Sequence, residues 1–229
     1  MKKNLFTISV ILLISSYSGV LAQPEHQPTK KENEKFIDLR DEPKPLVPFA
    51  EIFYYPTLAK DGGLEGRAMI DALIDTDGKI MKTIIASSSG TDLLDYAAVD
   101  IVRKQRYTPA IAPNDQKVKV WVSTPIVFKL GEEQHKKRIR YASLPKNLRM
   151  PLVVNIKDYN TTAATDLLAT VSVNNDGTLS AVSILPSVSP EVVVIVSEKI
   201  KEYHFSSARK NRGTSEMRSA FVKIKIEMN

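Results

Sequence analysis

The strongest constraint on the fold is a pair of strand-like segments joined by Asp77-Gly78. In residues 67–75, RAMIDALID, alanine and isoleucine occupy every second position, a pattern typical of a strand with one buried face. Residues 79–87 are also strand-like, and Asp-Gly between two such segments is a strong hairpin signal. We predict a β-hairpin with a tight type I′ turn, because glycine accepts the positive φ that this turn requires.

A helix is predicted after this hairpin. Asp92 is the expected N-cap, Asp95 favours the first turn, and Pro109 is expected to end the helix. The helix has an apolar face on which alanines allow close approach to a sheet. The residues of this face are Leu94, Ala97, Ala98, Ile101 and Val102.

We do not expect an enzyme. The serines of SSSG (87–90) lie in the predicted strand-to-helix loop, without a G-x-S-x-G turn and without a histidine in this part of the chain. A nucleophile without a base is not a catalytic site, so we interpret these serines as structural. The chain has no cysteine. His26, His135 and His204 are far apart in sequence, and no metal and no cofactor are expected.

Asp75 and Asp77 allow a second interpretation of the hairpin turn, as a calcium loop. The segment lacks the third acidic ligand and the distal glutamate of an EF-hand. We therefore interpret the two aspartates as turn residues.

Short strings of the first half (49–130) recur in the second half (150–229). The pairs are IDTDGKI (74–80) with VNNDGTL (173–179), RYTPA (106–110) with HFSSA (204–208), and PIVFKL (125–130) with KIKIEM (223–228). We interpret this as a tandem repeat whose second copy has diverged. The β-branched run in residues 190–205 favours a strand. Ser189 before Pro190 and the repeat register favour a helix, which is our prediction.

The N-terminal residues predict export. Residues 1–22 combine Lys2 and Lys3 with a short apolar core and a small-residue cleavage site before Gln23, as in a secretory signal peptide. The alternative is a retained anchor, but the strongly apolar part is about ten residues long and a membrane span needs about 20. We expect a periplasmic protein, or an inner-membrane anchored one if the segment is retained. Membrane contact is expected only in that second case.

The predicted organisation has five parts. They are a signal peptide or short anchor (1–22), a charged tether rich in proline (23–48), a first domain (49–130), a basic linker (131–149) and a second domain (150–229). The net charge is +6. The basic linker is interpreted as solvated, with contact to anionic lipid or polymer as the alternative.

Residues 54–130 resemble the C-terminal domain of TonB, the periplasmic energy transducer of Gram-negative bacteria. The segments that carry the resemblance are YYPTLA (54–59), LEGRAMI (64–70), IDTDGKI (74–80), SSSG (87–90), LDYAA (94–98), RKQRYTPA (103–110) and VWVSTPIVFKL (120–130). Each segment is weak alone, and their order and spacing together make the resemblance specific. The second half resembles the family only distantly. The family-motif positions, taken as structural, are Tyr55, Pro56, Gly66, Gly78, Ser89, Gly90, Leu94, Asp95, Ala98, Tyr107 and Pro109.

The resemblance implies an α+β fold with two tandem TonB-C-like domains, each a small antiparallel sheet packed against two helices. It also implies that the final strand, about Lys119 to Leu130, lies at a sheet edge and pairs with an extended segment of a partner. In the family that partner segment is typically the TonB box of an outer-membrane receptor. Pro125 suits an edge strand, because proline cannot donate to a central ladder. The partner-binding residues predicted in this way are Lys119, Val120, Trp121, Val122, Ser123, Thr124, Ile126, Val127 and Phe128.

The function implied is that of a non-enzymatic periplasmic protein that binds such a segment in receptor-coupled transport, or as an envelope adaptor. Cleavage after Ala22 would leave a protein that binds these partners but cannot pull on them. The alternatives are a structural envelope protein that contacts peptidoglycan or lipid or forms a homodimer through the strand edge, and a membrane-anchored energy transducer. No nucleic-acid partner is expected.

Overall fold

The computed structural model describes residues 39–131, 142–157, 159, 164–206 and 218–228. All of them belong to one compact unit, Lys31–Asn229. The predicted signal peptide, most of the predicted tether and residues 132–141 of the predicted linker lie outside the described residues. No helix in the described part of the chain is both long and apolar enough to cross a lipid bilayer.

Both halves combine helices with largely antiparallel sheets, which confirms the predicted α+β class. The first half contains α1 (Phe49–Ile52), α2 (Thr57–Asp61), β1 (Gly66–Ile74), β2 (Ile80–Ser87), α3 (Asp92–Arg103), β3 (Ala110–Ile111), β4 (Lys117–Val118) and β5 (Val120–Phe128). The second half contains β6 (Leu152–Ile156), β7 (Asp166–Val173), β8 (Leu179–Leu185), α4 (Pro190–Lys201) and β9 (Arg218–Met228).

The first sheet has the order β2-β1-β5, and both of its pairings are antiparallel. β1 lies in the middle of this sheet, and its alternating residues give it one fully buried face. Ala68, Ile70, Ala72 and Ile74 on that face are all inaccessible to solvent. The predicted hairpin is present, with strand bounds within one residue of the prediction at each end.

The hairpin turn is not of the predicted type I′. That turn needs a positive φ at both central residues. Gly78 has a φ of 81°, but the only non-glycine residue with a positive φ in the described ranges is Asp115. Gly78 donates its N–H to the Asp75 carbonyl at 3.1 Å, so the two residues between them are the central residues of the turn. Gly78 is the next residue, and it adopts the left-handed conformation. A Cβ at position 78 would also lie 1.8 Å from the Tyr107 carbonyl oxygen.

The second sheet has the order β6-β9-β7-β8. β7 pairs with β8 and β9 in antiparallel fashion, whereas β6 runs parallel to β9. The second half therefore differs from the predicted antiparallel sheet with two helices, since its described residues contain one helix, α4. Residues 152–156, LVVNI, alternate buried and exposed positions, so they form a strand rather than a helix.

Helix α4 forms where the repeat register predicts it, despite its β-branched run. Pro190 occupies the first turn after the N-cap Ser189. Val192, Val196 and Ile200 are buried at intervals of one helical turn. Tertiary packing of this face outweighs the strand propensity of the segment.

Helix α3 lies between the two sheets. Its residues Leu94 and Ala98 share one hydrophobic cluster with Phe128 of β5 and with Leu168 of β7. The neighbouring residue Leu167 points to the opposite face of the second sheet, into the cluster that contains α4. The layers are therefore sheet, helix, sheet, helix, and α3 is buried on both sides.

The ends of α3 differ from the prediction. The N-cap is Thr91 rather than Asp92, and the helix ends at Arg103, well before Pro109. Asp92 instead forms an ion pair of 2.9 Å with Lys223 of β9. A capping rule considers only neighbouring residues, so it cannot predict a contact with a residue so distant in sequence.

Candidate functional site

Strand β5 is the terminal strand of the first sheet. All nine of its residues pair with β1, from Val120 opposite Ile74 to Phe128 opposite Gly66. Within the described ranges no other strand pairs with β5. The strand predicted to bind a partner is thus an edge strand here, and Lys119 immediately precedes it. Such a strand presents one alternate set of backbone N–H and C=O groups away from the sheet.

Pro125 indicates which set of backbone groups faces outward. It lies opposite Met69 and has no N–H to donate. Prolines inside sheets occupy positions where the missing N–H would face away from the neighbouring strand. We infer that the backbone groups of Ser123 and Val127, two residues either side of Pro125, also face outward.

The two faces of β5 have different surroundings. Ile126 and Phe128 are buried on the α3 side of the sheet, and the Phe128 ring contacts Phe53 and Tyr55 with centroid separations of 5.7 and 5.4 Å. Val127 points to the other face and is 54% exposed. The edge therefore combines a fixed inner face with an accessible apolar side chain outside.

An apolar cleft of about 240 Å³ opens beside the inner face of β5. One wall is β5 itself, the floor is the last turn of α3, and the second wall is the segment that precedes and includes α1. The lining side chains that matter most are Val122, Thr124 and Ile126 of β5, Val102 of α3, and Pro45 and Val47 of the preceding segment.

We call residues 40–47 the strap, because they run in extended conformation along residues 105–111. Leu46 donates its backbone N–H to the Arg106 carbonyl at 2.7 Å. The Gln105 side chain accepts from the Val47 N–H at 2.9 Å and donates to the Val47 carbonyl at 2.8 Å. These bonds fix the second wall of the cleft.

Sequence reasoning missed the strap, since it places residues 23–48 in a tether. Its composition of charge and proline is typical of a linker. The signal that could have revealed pairing is the alternation of Pro43 and Pro45 with Lys44 and Leu46. This spacing leaves the N–H groups of the intervening residues available, and both make hydrogen bonds to residues 105–111.

Tyr107 connects the hairpin turn to β5. Its N–H donates to the Gly78 carbonyl at 3.0 Å, and its hydroxyl lies 3.4 Å from the Thr124 hydroxyl. Tyr55 donates its hydroxyl to the Leu64 carbonyl and packs edge-on against Phe128. The motif tyrosines thus support β5 from its inner side.

The loop before α3 is held by Asp95. Its carboxylate accepts from the Ser88 hydroxyl at 2.5 Å and from the Ser89 N–H at 2.6 Å. A Cβ at Gly66 would lie 2.5 Å from the Ser89 carbonyl oxygen, so the loop crosses β1 closely. This accounts for the predicted structural role of the serines.

The other motif positions lie at turns, helix ends and the core. Gly90 has a φ of 95°, Leu94 and Ala98 are fully buried, Pro56 is the N-cap of α2, and Pro109 precedes β3.

Asp100, on α3, is a buried charge with three hydrogen-bonding partners. It is 3% exposed and accepts from the Tyr54 hydroxyl at 2.9 Å, the Lys104 ammonium at 2.7 Å and the Ser187 N–H at 2.7 Å. Burial alone would raise the pKa of Asp100, but these hydrogen bonds outweigh it and lower that pKa. Burial, followed by the adjacent Asp100 charge, raises the pKa of Tyr54. Because Ser187 belongs to the second half, this carboxylate joins the two halves.

No group of three or more histidine and acidic side chains suited to a metal ion occurs in the described part of the chain. Asp75 accepts from the N–H groups of Asp77 and Lys79, both at 2.8 Å, so its carboxylate serves the turn. His204 is exposed after α4, whereas His26 and His135 lie outside the described residues.

Residues 52–130 match the family described as Gram-negative bacterial TonB protein C-terminal. This segment is therefore similar to a TonB C-terminal domain. It begins within α1 and ends just after β5, so it contains the open edge but not the strap. β6 to β9 also lie outside the match.

Curated TonB proteins resemble the same part of the chain. Protein TonB of Vibrio cholerae serotype O1 is 34% identical over 76 residues, which are 33% of this chain and 31% of that protein. Protein tonB2 of Pseudomonas aeruginosa is 37% identical over 77 residues, 34% of this chain and 28% of that protein. Protein TonB of Helicobacter pylori is 27% identical over 79 residues, 34% of this chain and 26% of that protein. The chain thus spans less than a third of each relative's length. No solved structure matches it significantly.

Proposed function

We propose that this chain is a non-enzymatic periplasmic protein of TonB-type envelope transport, whose TonB C-terminal domain binds an extended segment of an outer-membrane receptor. The segment adds as a strand to the outer edge of β5. The observation that carries the proposal is that the last strand of the family domain is a sheet edge in the described part of the chain.

The physical basis is strand addition. The backbone of β5 supplies affinity through N–H and C=O groups that face outward, and the neighbouring side chains supply selectivity. Each added hydrogen bond contributes about 0.5–1.5 kcal/mol net. Pro125 removes one donor from this edge, so the groups of Ser123 and Val127 are the donors to which the partner pairs.

A second candidate is self-association through the same edge. Val127 is 54% exposed on an edge strand, and an apolar open edge is a template for pairing with a second copy. In that case the sheet of one molecule would continue into that of another. Sedimentation over a range of protein concentrations measures this directly.

The test uses a peptide that carries a receptor TonB box, with binding followed by the fluorescence of Trp121. This residue lies on β5 and is the only tryptophan of the chain. Two versions of the peptide are methylated on alternate backbone nitrogens. We expect one version to lose at least about tenfold in affinity and the other to keep it, because alternate N–H groups face β5 and solvent. Equal effects of both methylation patterns would contradict strand addition.

A matched pair of protein variants locates the edge. Val127→Pro removes an outward donor and should weaken peptide binding by about tenfold, whereas Val127→Ala keeps the donor and should bind within about threefold of the wild type. An unchanged affinity for the proline variant rules out this part of β5. Absence of peptide binding, together with concentration-dependent dimers, favours the second candidate.

A further inference from the structure

We propose that the cleft between β5 and the strap is a pocket for one apolar side chain, of leucine or phenylalanine size, carried by the segment that pairs with β5. The inference rests on the proposed function. It adds a new element to the site, because the strap, residues 40–47, precedes the family match at 52–130. Selectivity would then depend on residues outside the family domain.

The geometry of an added strand places side chains in this cleft. Successive side chains of a strand point to opposite faces of the sheet. Every second residue of the partner would therefore lie on the α3 side, about 4.5–5.5 Å from Val122, Thr124 or Ile126 across the pair. These three residues form the β5 wall of the cleft.

The size of the cleft fits one large apolar side chain. Its volume is about 240 Å³. An apolar cavity of about 150 Å³ already accepts a benzene molecule. A leucine or phenylalanine side chain fits, with room for small adjustments of the strap.

The polar groups of the cleft are already engaged. Both ends of the Gln105 side-chain amide bond the Val47 backbone, and the Thr124 hydroxyl lies 3.4 Å from that of Tyr107. A polar side chain in the cleft would lose its hydration and find no new partner there, which is unfavourable. The pocket therefore selects apolar residues.

The second half of the chain provides an internal template. β6 lies on the outer edge of β9, with Leu152 opposite Ile224 and Val154 opposite Ile226. Both β6 side chains are buried in the hydrophobic cluster beneath the sheet. β9 follows a hairpin and a helix, as β5 does. An apolar side chain on the strand added to β5 would occupy the corresponding place beside Ile126.

The experiment is a double-mutant cycle between the TonB-box peptide and the cleft. Each apolar residue of the peptide is replaced in turn by alanine. Each peptide is titrated by calorimetry against the full chain and against Val47→Trp, which fills the cleft from the strap side. We expect one replacement to cost the wild type about tenfold or more in affinity. The same replacement should cost Val47→Trp less than about threefold, because the pocket is already filled.

The matched control is Leu46→Trp, which adds the same bulk to the strap at a side chain that is 60% exposed and does not line the cleft, and it should keep the wild-type response. Thr124→Leu narrows the cleft from the β5 side and carries the test if Val47→Trp does not fold. If each peptide replacement costs both cleft variants as much affinity as it costs the wild type, the pocket is overturned while strand addition stands.

Gln105→Ala, which releases Val47, should weaken peptide binding. Tighter binding of every peptide would mean that the strap acts as a lid instead. If no peptide binds the wild type, the proposed function and the pocket both fail.

Discussion

The two halves of this molecule end in strands of the same kind that differ in what lies beside them. β5 and β9 each follow a hairpin and a helix of 12 residues, and each pairs antiparallel with the first strand of that hairpin. β9 is covered on its other side by β6, whereas no described strand covers β5. This chain therefore contains both a closed and an open version of one sheet edge. The closed version is part of a core, and the open version is suited to a partner.

A short local difference in sequence accompanies the two outcomes. Residues 152–156, LVVNI, form β6 because their alternating apolar residues suit a strand. The first half instead has Tyr55-Pro56 before its sheet, and Pro56 is the N-cap of the short helix α2. In the second half the strand β6 closes the edge of β9. In the first half the comparable place holds the N-terminus of a helix, and the edge of β5 stays open.

A substitution in β6 should have a large effect on stability if this strand is an integral part of the second sheet. Leu152 is 5% exposed and Val153, the next residue, is 43% exposed. Leu152→Ala should lower the free energy of unfolding by about 2–5 kcal/mol, because it leaves a cavity in the core of the second half. Val153→Ala is the control on the same strand and should change it by no more than about 0.5 kcal/mol. Urea denaturation measures both.

The open edge should respond differently to the same kind of change. Val127→Ala on β5 should leave the free energy of unfolding within about 0.5 kcal/mol of the wild type. If Leu152→Ala were as mild as Val127→Ala, β6 would be a loosely held strand and the contrast between the two edges would disappear.

A smaller effect tests how the two halves are joined. Asp100→Ala leaves the Ser187 N–H and the Tyr54 hydroxyl without their hydrogen-bond acceptor. It should lower the free energy of unfolding by about 2–4 kcal/mol. The matched control is Asp92→Ala, which removes an exposed ion pair with Lys223 between the same halves. The control should cost about 1 kcal/mol or less. Equal losses of unfolding free energy in the two variants would mean that the buried carboxylate stabilises the contact between the halves no more than the exposed ion pair does.

The stabilisation by Asp100 should also depend on pH. Its pKa is lowered in the folded protein by the hydrogen bonds from Lys104, Ser187 and Tyr54, which outweigh the effect of burial. A lowered pKa gives stabilisation that is complete above the ordinary value of about 3.9 and is lost as pH falls through the folded value. The difference between wild type and Asp100→Ala should therefore shrink below about pH 4. A difference that grows on acidification would contradict this assignment.

The elements that sequence predicted well are those set by local periodicity. The hairpin of β1 and β2 follows from alternating apolar residues and Asp77-Gly78, and α3 follows from apolar residues at helical spacing. Pro125 also pointed to an edge strand, and β5 ends its sheet among the described residues. These signals lie within a few residues of each other in the chain.

The features that sequence reasoning missed depend on contacts between distant residues. The strap binds residues 105–111 through backbone groups, which any sequence of suitable spacing can provide. The parallel pairing of β6 with β9 joins segments about 70 residues apart, and a strand pattern does not name its neighbour. The bond between Asp100 and Ser187 spans 87 residues and depends on where the second sheet lies against α3. The cleft exists only because the strap, α3 and β5 meet.

Hydrogen exchange of individual amides tests the central claim, that β5 has an open edge to which a strand can add. In the free, monomeric protein the amides of Ser123 and Val127 should exchange at least about tenfold faster than those of Val122 and Thr124, which face β1. Ile224 and Lys225 of β9, which lie between β6 and β7, should both be protected. Adding the TonB-box peptide should slow exchange at Ser123 and Val127 and leave β9 unchanged. Protection of Ser123 and Val127 equal to that of Thr124 before any peptide is added would contradict the account.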